Sequence, residues 1–275
     1  MPVIRIGHSP DADDAFMFYA LTHGKVEIPG VRIEHVLEDI ESLNRRAQTG
    51  ELDVTAVSCA TYPAIADRYR IMDPGASMGK GYGPIVVAKQ PYDDEALAEN
   101  SIAIPGFGTT AYLLLRLALG DPPVIVVPFD RIIQVVLDDQ AHAGLLIHEG
   151  QITYAGLGLV KVMDLGERWT KETGLPLPLG INVTRRDLGE ALARQLSEAL
   201  RASIRYAHAH SDEAVAYAMR YGRGIDTETC TRFVHMYVND YTVRLGDEGR
   251  RALETLYQRA VDKELLAAMP PIDPL

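Results

Sequence analysis

A histidine directly follows an apolar run near the middle of the chain. Residues 143–147, AGLLI, have the length and composition of a buried strand, and His148 comes next. The imidazole of histidine has an ordinary pKa of about 6.5, so at pH 7 it is mostly neutral and can accept a proton from a bound molecule. The pattern favours His148 as a general base. The alternative is a histidine that only hydrogen-bonds a loop carbonyl.

A second apolar strand pattern, DVTAVS at residues 53–58, ends on a serine. The hydroxyl of Ser58 can donate a hydrogen bond to a carbonyl or a carboxylate. Residues 43–58 and 135–148 also share one plan, a helix pattern followed by an acidic turn and a strand that closes on a polar residue. This internal repeat gives Ser58 and His148 equivalent positions. A strand-end serine without a ligand is the alternative for Ser58.

The loop GHSPDADDAF near the N-terminus carries an excess of acidic side chains. Ser9 is predicted to cap a helix whose first turn contains Asp11, Asp13 and Asp14. Three carboxylates are more than capping requires, and as hydrogen-bond acceptors they suit sugar hydroxyls. The loop is therefore either a plain helix start or a diol-binding loop that uses Ser9, Asp11 and Asp14.

The segment PGFGTTAYLLL, residues 105–115, offers hydrogen-bond donors, in contrast to the acceptors of the acidic loop. Its glycines allow the backbone to approach a ligand closely, and Thr109 and Thr110 begin an apolar helix. The free amides at a helix N-terminus attract anions. A substrate carboxylate is expected to bind here, and an ordinary N-cap at Thr109 is the alternative.

Motifs for a metal, a nucleotide or a serine nucleophile do not occur in the sequence. The glycine-rich stretch at residues 73–84 lacks the spacing of a Walker loop, and no second histidine follows His148 at the metal-binding interval of four residues. The GxSxG pattern of serine hydrolases is also missing. We therefore expect a site without a metal or a cofactor.

The composition narrows the classes of partner and compartment. The chain has 27 basic and 38 acidic residues, and its net charge of −11 disfavours binding to nucleic acid. The N-terminus lacks the pattern of an export signal, and no apolar run approaches the ~20 residues that span a bilayer. Cys59 and Cys230 form neither a metal spacing nor a disulfide framework. We expect a cytoplasmic protein that binds a small molecule and does not insert into membranes.

The order of the elements predicts an α/β fold with two lobes. Short apolar runs alternate with amphipathic segments, as in mainly parallel sheets flanked by helices, and the C-terminal third is helical. The arrangement resembles the type II periplasmic-binding-protein fold, with a ligand cleft between the lobes. The larger first lobe is predicted to contain residues 1–90 and 175–275, and the second lobe residues 91–174. The C-terminal helices are expected to pack either within their lobe or in a homodimer.

Motifs along the whole chain resemble a known enzyme family. HSPDADDAFMFYAL, VLEDIESLN, GYGPIVVA, GTTAYLLL, LLIHEGQITY, DLGERWTKETGLPLPLG and RRDLG are together similar to the 1,4-dihydroxy-6-naphthoate synthases of the futalosine route to menaquinone. The similarity runs from about residue 4 to about residue 260. It implies a cytoplasmic, cofactor-free carbon–carbon lyase. Such an enzyme converts cyclic dehypoxanthinylfutalosinate into 1,4-dihydroxy-6-naphthoate and a small sugar-derived fragment.

The same resemblance implies roles for single residues. It places the proton acceptor at His148, with Glu149 either orienting that imidazole or facing solvent. The chain departs from the family at residues 11–14, where DADD stands in place of the Cys-Pro-Asn-Asp of many relatives. The implied substrate contacts are Ala56, Val57, Ser58, Thr110 and Ala111.

Two other functions stay open at this point. One is a chorismate dehydratase of the same pathway, which has a similar fold. The other is a non-catalytic binding protein for a small organic acid, because the fold is more common among receptors than among enzymes.

Overall fold

The backbone forms two β-sheets with helices packed around them. The structure, a computed structural model, describes residues 2–148 and 150–275. In chain order the strands are β1 (Val3–His8), β2 (Arg32–Leu37), β3 (Val54–Ser58), β4 (Tyr69–Ile71), β5 (Ser77–Gly79), β6 (Ile85–Ala88), β7 (Ile102–Ile104), β8 (Val124–Val126), β9 (Ala143–Leu146), β10 (Val160–Asp164) and β11 (Leu177–Arg185).

The two longest helices of the described residues, Glu190–Ala209 and Gly246–Asp262, lie in the C-terminal third, which the sequence pattern predicts to be helical. In the described residues no helix is long and apolar enough to cross a bilayer. In chain order they are α1 (Ala12–Thr22), α2 (Ile40–Thr49), α3 (Asp94–Glu99), α4 (Thr110–Leu119), α5 (Ile132–Leu137), α6 (Gly150–Thr153), α7 (Leu165–Thr173), α8 (Glu190–Ala209), α9 (Ser211–Ala218), α10 (Thr227–Tyr237), α11 (Asp240–Val243) and α12 (Gly246–Asp262).

The two sheets share one topology. The first has the strand order β2-β1-β3-β11-β4, with β5 also paired to β11, and the second has the order β8-β7-β9-β6-β10. In each sheet the first three strands of this order run parallel and the fourth runs antiparallel to the third. The internal repeat of the sequence is therefore present in the structure, and β3 and β9 occupy equivalent positions.

The two-sheet α/β architecture confirms the predicted fold class, and the strand directions are more mixed than expected. The strands β6 and β11 run antiparallel to their neighbours because each enters its sheet from the other one. β6 belongs to the second sheet, although it falls inside residues 1–90, the range predicted for the first lobe. The turn after β5, with Gly81 at φ +77°, already carries the chain across. The first crossing therefore precedes Ile85.

We call the first sheet with α1, α2 and α8–α12 the first lobe, and the second sheet with α3–α7 the second lobe. In the first lobe, α1 packs against α8, α9 and α10. Its Phe16 and Phe18 are completely buried there, which stabilises the fold by about 1.5–3 kcal/mol for each side chain. The C-terminal helices thus hold α1, and with it the acidic loop, against the sheet.

The ends of α2 are defined by local signals. At the start, the carboxylate of Asp39 accepts a hydrogen bond from the amide of Ser42 at 3.1 Å. At the end, Gly50 adopts a left-handed conformation with φ +74°, which a residue without a Cβ does at little cost. Between these ends the buried face of α2 carries Leu43, Asn44 and Ala47. This face places an asparagine next to the end of β3.

Candidate active site

A cleft lies between the two lobes. The last residues of β3 and the residues that follow β9 both reach it, as expected for ligand sites in open α/β sheets. Asp11, one of the residues predicted from the sequence, is not part of the cleft wall. The wall includes the other nine: Ser9, Asp14, Ala56, Val57, Ser58, Thr109, Thr110, Ala111 and His148.

His148 stands two residues beyond the end of β9. Its backbone has φ +65°, a left-handed conformation that residues with a side chain rarely adopt and that costs on the order of 1–3 kcal/mol. The carbonyl of His148 accepts a hydrogen bond from the amide of Gln151 at 3.1 Å. The ring lies edge-on to Phe129 with 4.7 Å between centroids. Such strain is typical of positions where function requires a side chain.

The imidazole of His148 faces a carboxylate of the other lobe. Its Nδ1 is 3.4 Å from Oδ2 of Asp11, and the other carboxylate oxygen of Asp11 accepts a hydrogen bond from Arg223 at 2.6 Å. Burial by itself raises the pKa of Asp11, but the nearby His148 and Arg223 outweigh it and hold the pKa below its ordinary value. The structure thus assembles an ionised Asp11 beside His148. Glu149, the other candidate to orient His148, lies outside the described residues.

The start of α1 differs from the predicted helix cap. The N-cap is Asp11 rather than Ser9, because the chain stays extended through Asp11, with φ −119° and ψ 160°. The amide of Ser9 instead donates a 2.6 Å hydrogen bond to Oδ2 of Asp14. The side chain of Asp11 makes no capping hydrogen bond and lies behind the cleft wall, 1% exposed. This placement does not favour direct contact between Asp11 and a diol.

The other two carboxyl groups of the acidic loop face the cleft in a different electrostatic state. Burial raises the pKa of Asp14 to about 7, and the neighbouring charge of Asp11 adds to this effect, although the Ser9 amide opposes it. Burial and the neighbouring Asp14 and Asp11 raise the pKa of Asp13 well above its ordinary value. In contrast to Asp11, these two groups keep their protons to a higher pH than an ordinary aspartate does.

Ser58 is held by a side chain of its own lobe. Its amide donates to Oδ1 of Asn44 at 2.9 Å, and its hydroxyl oxygen lies 3.1 Å from Nδ2 of Asn44. A serine hydroxyl has one proton to donate, and accepting from Asn44 leaves that proton for a ligand in the cleft. The arrangement suits a carbonyl or carboxylate oxygen.

The two threonines at the start of α4 have different partners. The hydroxyl of Thr109 caps the helix, since it accepts from the amide of Tyr112 at 3.2 Å. The hydroxyl of Thr110 donates to the carbonyl of Leu179 at 2.6 Å and accepts from the amide of Ala60 at 3.2 Å. The amides of Thr110 and Ala111, as the first two of the helix, have no acceptor within it. They remain as donors for an anion.

The glycines before α4 let the second lobe approach the first. A Cβ at Gly106 would lie 2.4 Å from the side-chain Cδ of Glu41, a distance that excludes any larger residue without movement. The carbonyl of Gly108 accepts a hydrogen bond from the hydroxyl of Thr61 at 2.9 Å. The side chains of Glu41 and Thr61 therefore contact the glycine backbone of the second lobe beside the cleft, and this contact brings the start of α4 next to Ser58.

The chemical content of the cleft suits a small organic acid. It combines amide donors, the hydroxyl of Ser58 and an imidazole with apolar wall residues such as Ile147, Leu179 and Phe233. Within residues 2–148 and 150–275, no three side chains of His, Cys, Asp and Glu are grouped so that they could hold a metal ion.

The family follows from the sequence as a whole. A sequence model of the family described as "Menaquinone biosynthesis" matches residues 4–262. The chain belongs to this family. It is 46% identical over 271 residues to a protein of Thermus thermophilus named 1,4-dihydroxy-6-naphtoate synthase, with 98% of each chain covered. A protein of Streptomyces coelicolor with the same name is 37% identical over 275 residues, covering 98% of this chain and 96% of its own. The resemblance derived from the motifs is confirmed.

Solved structures agree with this assignment. A protein from Archaeoglobus fulgidus is 53% identical, with a TM-score of 0.93 over 96% of this chain and 98% of its own. The alkanesulfonate-binding protein SsuA of Xanthomonas axonopodis pv. citri has a TM-score of 0.70 at 14% identity, covering 96% of this chain and 94% of its own. The second similarity concerns the fold alone. It confirms the binding-protein-like fold that the element order predicts for this member of the menaquinone biosynthesis family.

Sequence reasoning missed several polar residues around the cleft. Asn44 and Asn182 could have been noticed in the sequence, because each places an amide side chain in an otherwise apolar helix face or strand. Oδ1 of Asn182 is buried without a hydrogen-bond partner among the described residues, and Nδ2 donates to the carbonyl of Gly75 at 3.0 Å. Arg223 carries no such signal, since only the tertiary structure brings it to Asp11. The same is true of Gln151, whose side chain is 3.0 Å from the hydroxyl of Tyr237 across the cleft.

Proposed function

We propose that this protein is a carbon–carbon lyase that converts cyclic dehypoxanthinylfutalosinate into 1,4-dihydroxy-6-naphthoate, with His148 as the general base. The observation that carries the proposal is the pairing of His148 with the buried, ionised Asp11 beside a cleft that offers donors for an acid. The names of the two curated relatives support the same reaction.

The carboxylate of the substrate is proposed to bind where β3 ends and α4 begins. The amides of Thr110 and Ala111 and the hydroxyl proton of Ser58 are the donors at this place. The dipole of α4 adds to the attraction, because an anion at a helix N-terminus is stabilised by about 0.3–1 kcal/mol or more when it is partly buried. Binding here orients the ring system of the substrate in the cleft.

His148 then removes a proton from the oriented substrate. With Asp11 beside Nδ1, the ring nitrogen left for the substrate is Nε2, and the carboxylate stabilises the imidazolium that forms. A general base of this kind contributes about 10²- to 10⁴-fold in rate, or roughly 3 to 5 kcal/mol of barrier. Ring opening leads to an aromatic naphthalenediol, and aromatisation provides the driving force.

The lobes exclude water from this step. The hydrogen bonds of Thr110 with Leu179, Thr61 with Gly108, and Tyr237 with Gln151 join the two lobes around the cleft. A cleft closed in this way strengthens the electrostatic interactions inside it. The substrate is expected to enter when the lobes separate and to react when they meet.

The test is a product assay with two candidate substrates. Purified protein is incubated separately with cyclic dehypoxanthinylfutalosinate and with chorismate, and the products are identified by liquid chromatography with mass spectrometry. We expect the naphthoate from the first compound and no change in the second. Dehydration of chorismate would assign the other enzyme of the pathway. Tight binding of either compound without turnover would assign a binding protein.

A further inference from the structure

One carboxyl oxygen at the cleft has no partner. Asp13 lies in the first turn of α1 and forms part of the cleft wall, and its Oδ1 is buried without a hydrogen-bond partner among the described residues. An unsatisfied buried polar atom costs about 1–3 kcal/mol, and folded proteins rarely leave one without a reason. An atom of this kind at the wall of a binding cleft points to a ligand.

The groups around Asp13 determine whether its carboxyl group donates or accepts a hydrogen bond. Burial and the carboxyl groups of Asp14 and Asp11 on its own segment raise its pKa well above the ordinary value. From the other elements, Tyr237 of α10 and Tyr82 of the crossing segment are close enough to interact with its charge. The cationic partner of the loop, Arg223, is bound to Asp11 instead. These surroundings favour the protonated form of Asp13, in which the carboxyl group has an O–H to donate.

The proposed substrate carries a ring ketone besides its carboxylate. We propose that Asp13 contacts the substrate and donates a hydrogen bond from its carboxylic acid to the oxygen of this ring carbonyl. This inference rests on the proposed function. When His148 takes a proton from a carbon next to that carbonyl, the electron pair moves to the carbonyl oxygen, which becomes negatively charged. The O–H of Asp13 stabilises that charge without giving up its proton. The base comes from the second lobe and the donor from the first, so closure assembles both.

This role differs from the diol-binding role predicted for the acidic loop. A diol requires acceptors, whereas a carbonyl oxygen requires a donor, and a protonated carboxyl group supplies one. A neutral carboxylic acid in an apolar site is an effective donor to a developing oxyanion.

The first experiment compares Asp13→Ala with Asp13→Asn. The asparagine keeps a neutral donor of similar shape, so we expect it to retain kcat within about tenfold, whereas the alanine loses about 10²- to 10³-fold, the usual loss for one oxyanion donor. Asp247→Ala, an exposed first-turn carboxylate of α12, is the matched control and should leave kcat unchanged. Full activity of the alanine variant would overturn the proposal. Equal loss in both variants would also overturn it, because it would show that the carboxylate charge is required.

A second experiment does not depend on turnover. The infrared difference spectrum of wild type minus Asp13→Asn, recorded at neutral pH, should contain the carbonyl stretch of a protonated carboxylic acid. This band should shift when the product 1,4-dihydroxy-6-naphthoate binds. A carboxylate band in its place, or a protonated band that does not respond to the product, would contradict the proposal. If wild type fails to convert the proposed substrate, this spectrum still determines the state of Asp13, so the two failures are distinguishable.

Discussion

The ends of β3 and β9 occupy equivalent positions in the two lobes, but they are held in different ways. At the end of β3, Ser58 is fixed by Asn44 from the same lobe. At the end of β9, His148 faces Asp11 from the other lobe. The hydrogen bonds that hold Ser58 therefore lie within one lobe, whereas the contact that holds His148 needs both. The difference implies that Ser58 is already oriented before the lobes meet, whereas His148 gains its carboxylate partner only on closure.

The largest effect should come from breaking the contact between the lobes. Asp11→Asn removes the carboxylate that stabilises the imidazolium of His148, and we expect kcat to fall at least 10²-fold while KM changes by less than tenfold. Steady-state kinetics measures both constants. Asp212→Asn, an exposed carboxylate in the first turn of α9, is the control and should behave as wild type. A loss confined to KM would mean that Asp11 binds the substrate instead.

The comparison between Asp11 and Asp14 predicts opposite effects of pH on stability. The raised pKa of Asp14, about 7, means that the folded state binds its proton more tightly than the unfolded state. Its contribution is fully present below about pH 4 and is lost as the pH rises to about 7, on the order of 2–4 kcal/mol. The lowered pKa of Asp11 has the reverse effect, a stability that is lost as the pH falls through its folded-state pKa.

Urea unfolding between pH 4 and pH 8 tests this difference. The free energy of unfolding of wild type, relative to Asp14→Asn, should decrease as the pH rises over this range, because the variant has no carboxyl group to ionise. Relative to Asp11→Asn, measured in the same way from pH 5 down to pH 2, the decrease should appear below about pH 4. Parallel curves for wild type and the Asp14 variant would show that the carboxyl group is ionised in the folded protein throughout.

The smallest effect should come from removing the hydrogen bonds that hold Ser58 at the end of β3. Asn44→Ala leaves the amide of Ser58 without its acceptor and should lower the free energy of unfolding by about 1–3 kcal/mol. Because Ser58 then loses its orientation, KM should rise several-fold with little change in kcat. Gln48→Ala, at an exposed position of the same helix, serves as the control. A large fall in kcat would show that this end also acts in the chemical step.

The equivalence of the two strand ends could be predicted from the sequence, and their supporting contacts could not. The repeat between residues 43–58 and 135–148 is carried by local patterns of helix, turn and strand, which a sequence shows directly. The partners Asn44, Asp11 and Arg223 depend on how distant elements pack. Asp11 was predicted to contact the substrate because the sequence does not show which distant side chains pack against a carboxylate in a loop. Its two neighbours come from residues 137 and 212 positions further along the chain.

The crossing of the chain shows the same limit. The apolar run at residues 84–88 is recognisable as a strand, but its composition does not say which sheet it joins. The pairing of β6 with β9 and β10 shows that this strand belongs to the second sheet, so the chain crosses between the lobes before Ile85. Local patterns thus predict the elements, while the partners of each element follow from packing.

The most direct test of the account is the turnover of His148→Asn with cyclic dehypoxanthinylfutalosinate. The exposed His142→Asn variant of the same lobe is measured beside it, together with the melting temperature and the binding of the product by each protein. The account predicts that His148→Asn loses 10²- to 10⁴-fold in kcat, while it folds and binds the product as His142→Asn does. A kcat within threefold of wild type would contradict the assignment of His148 as the base.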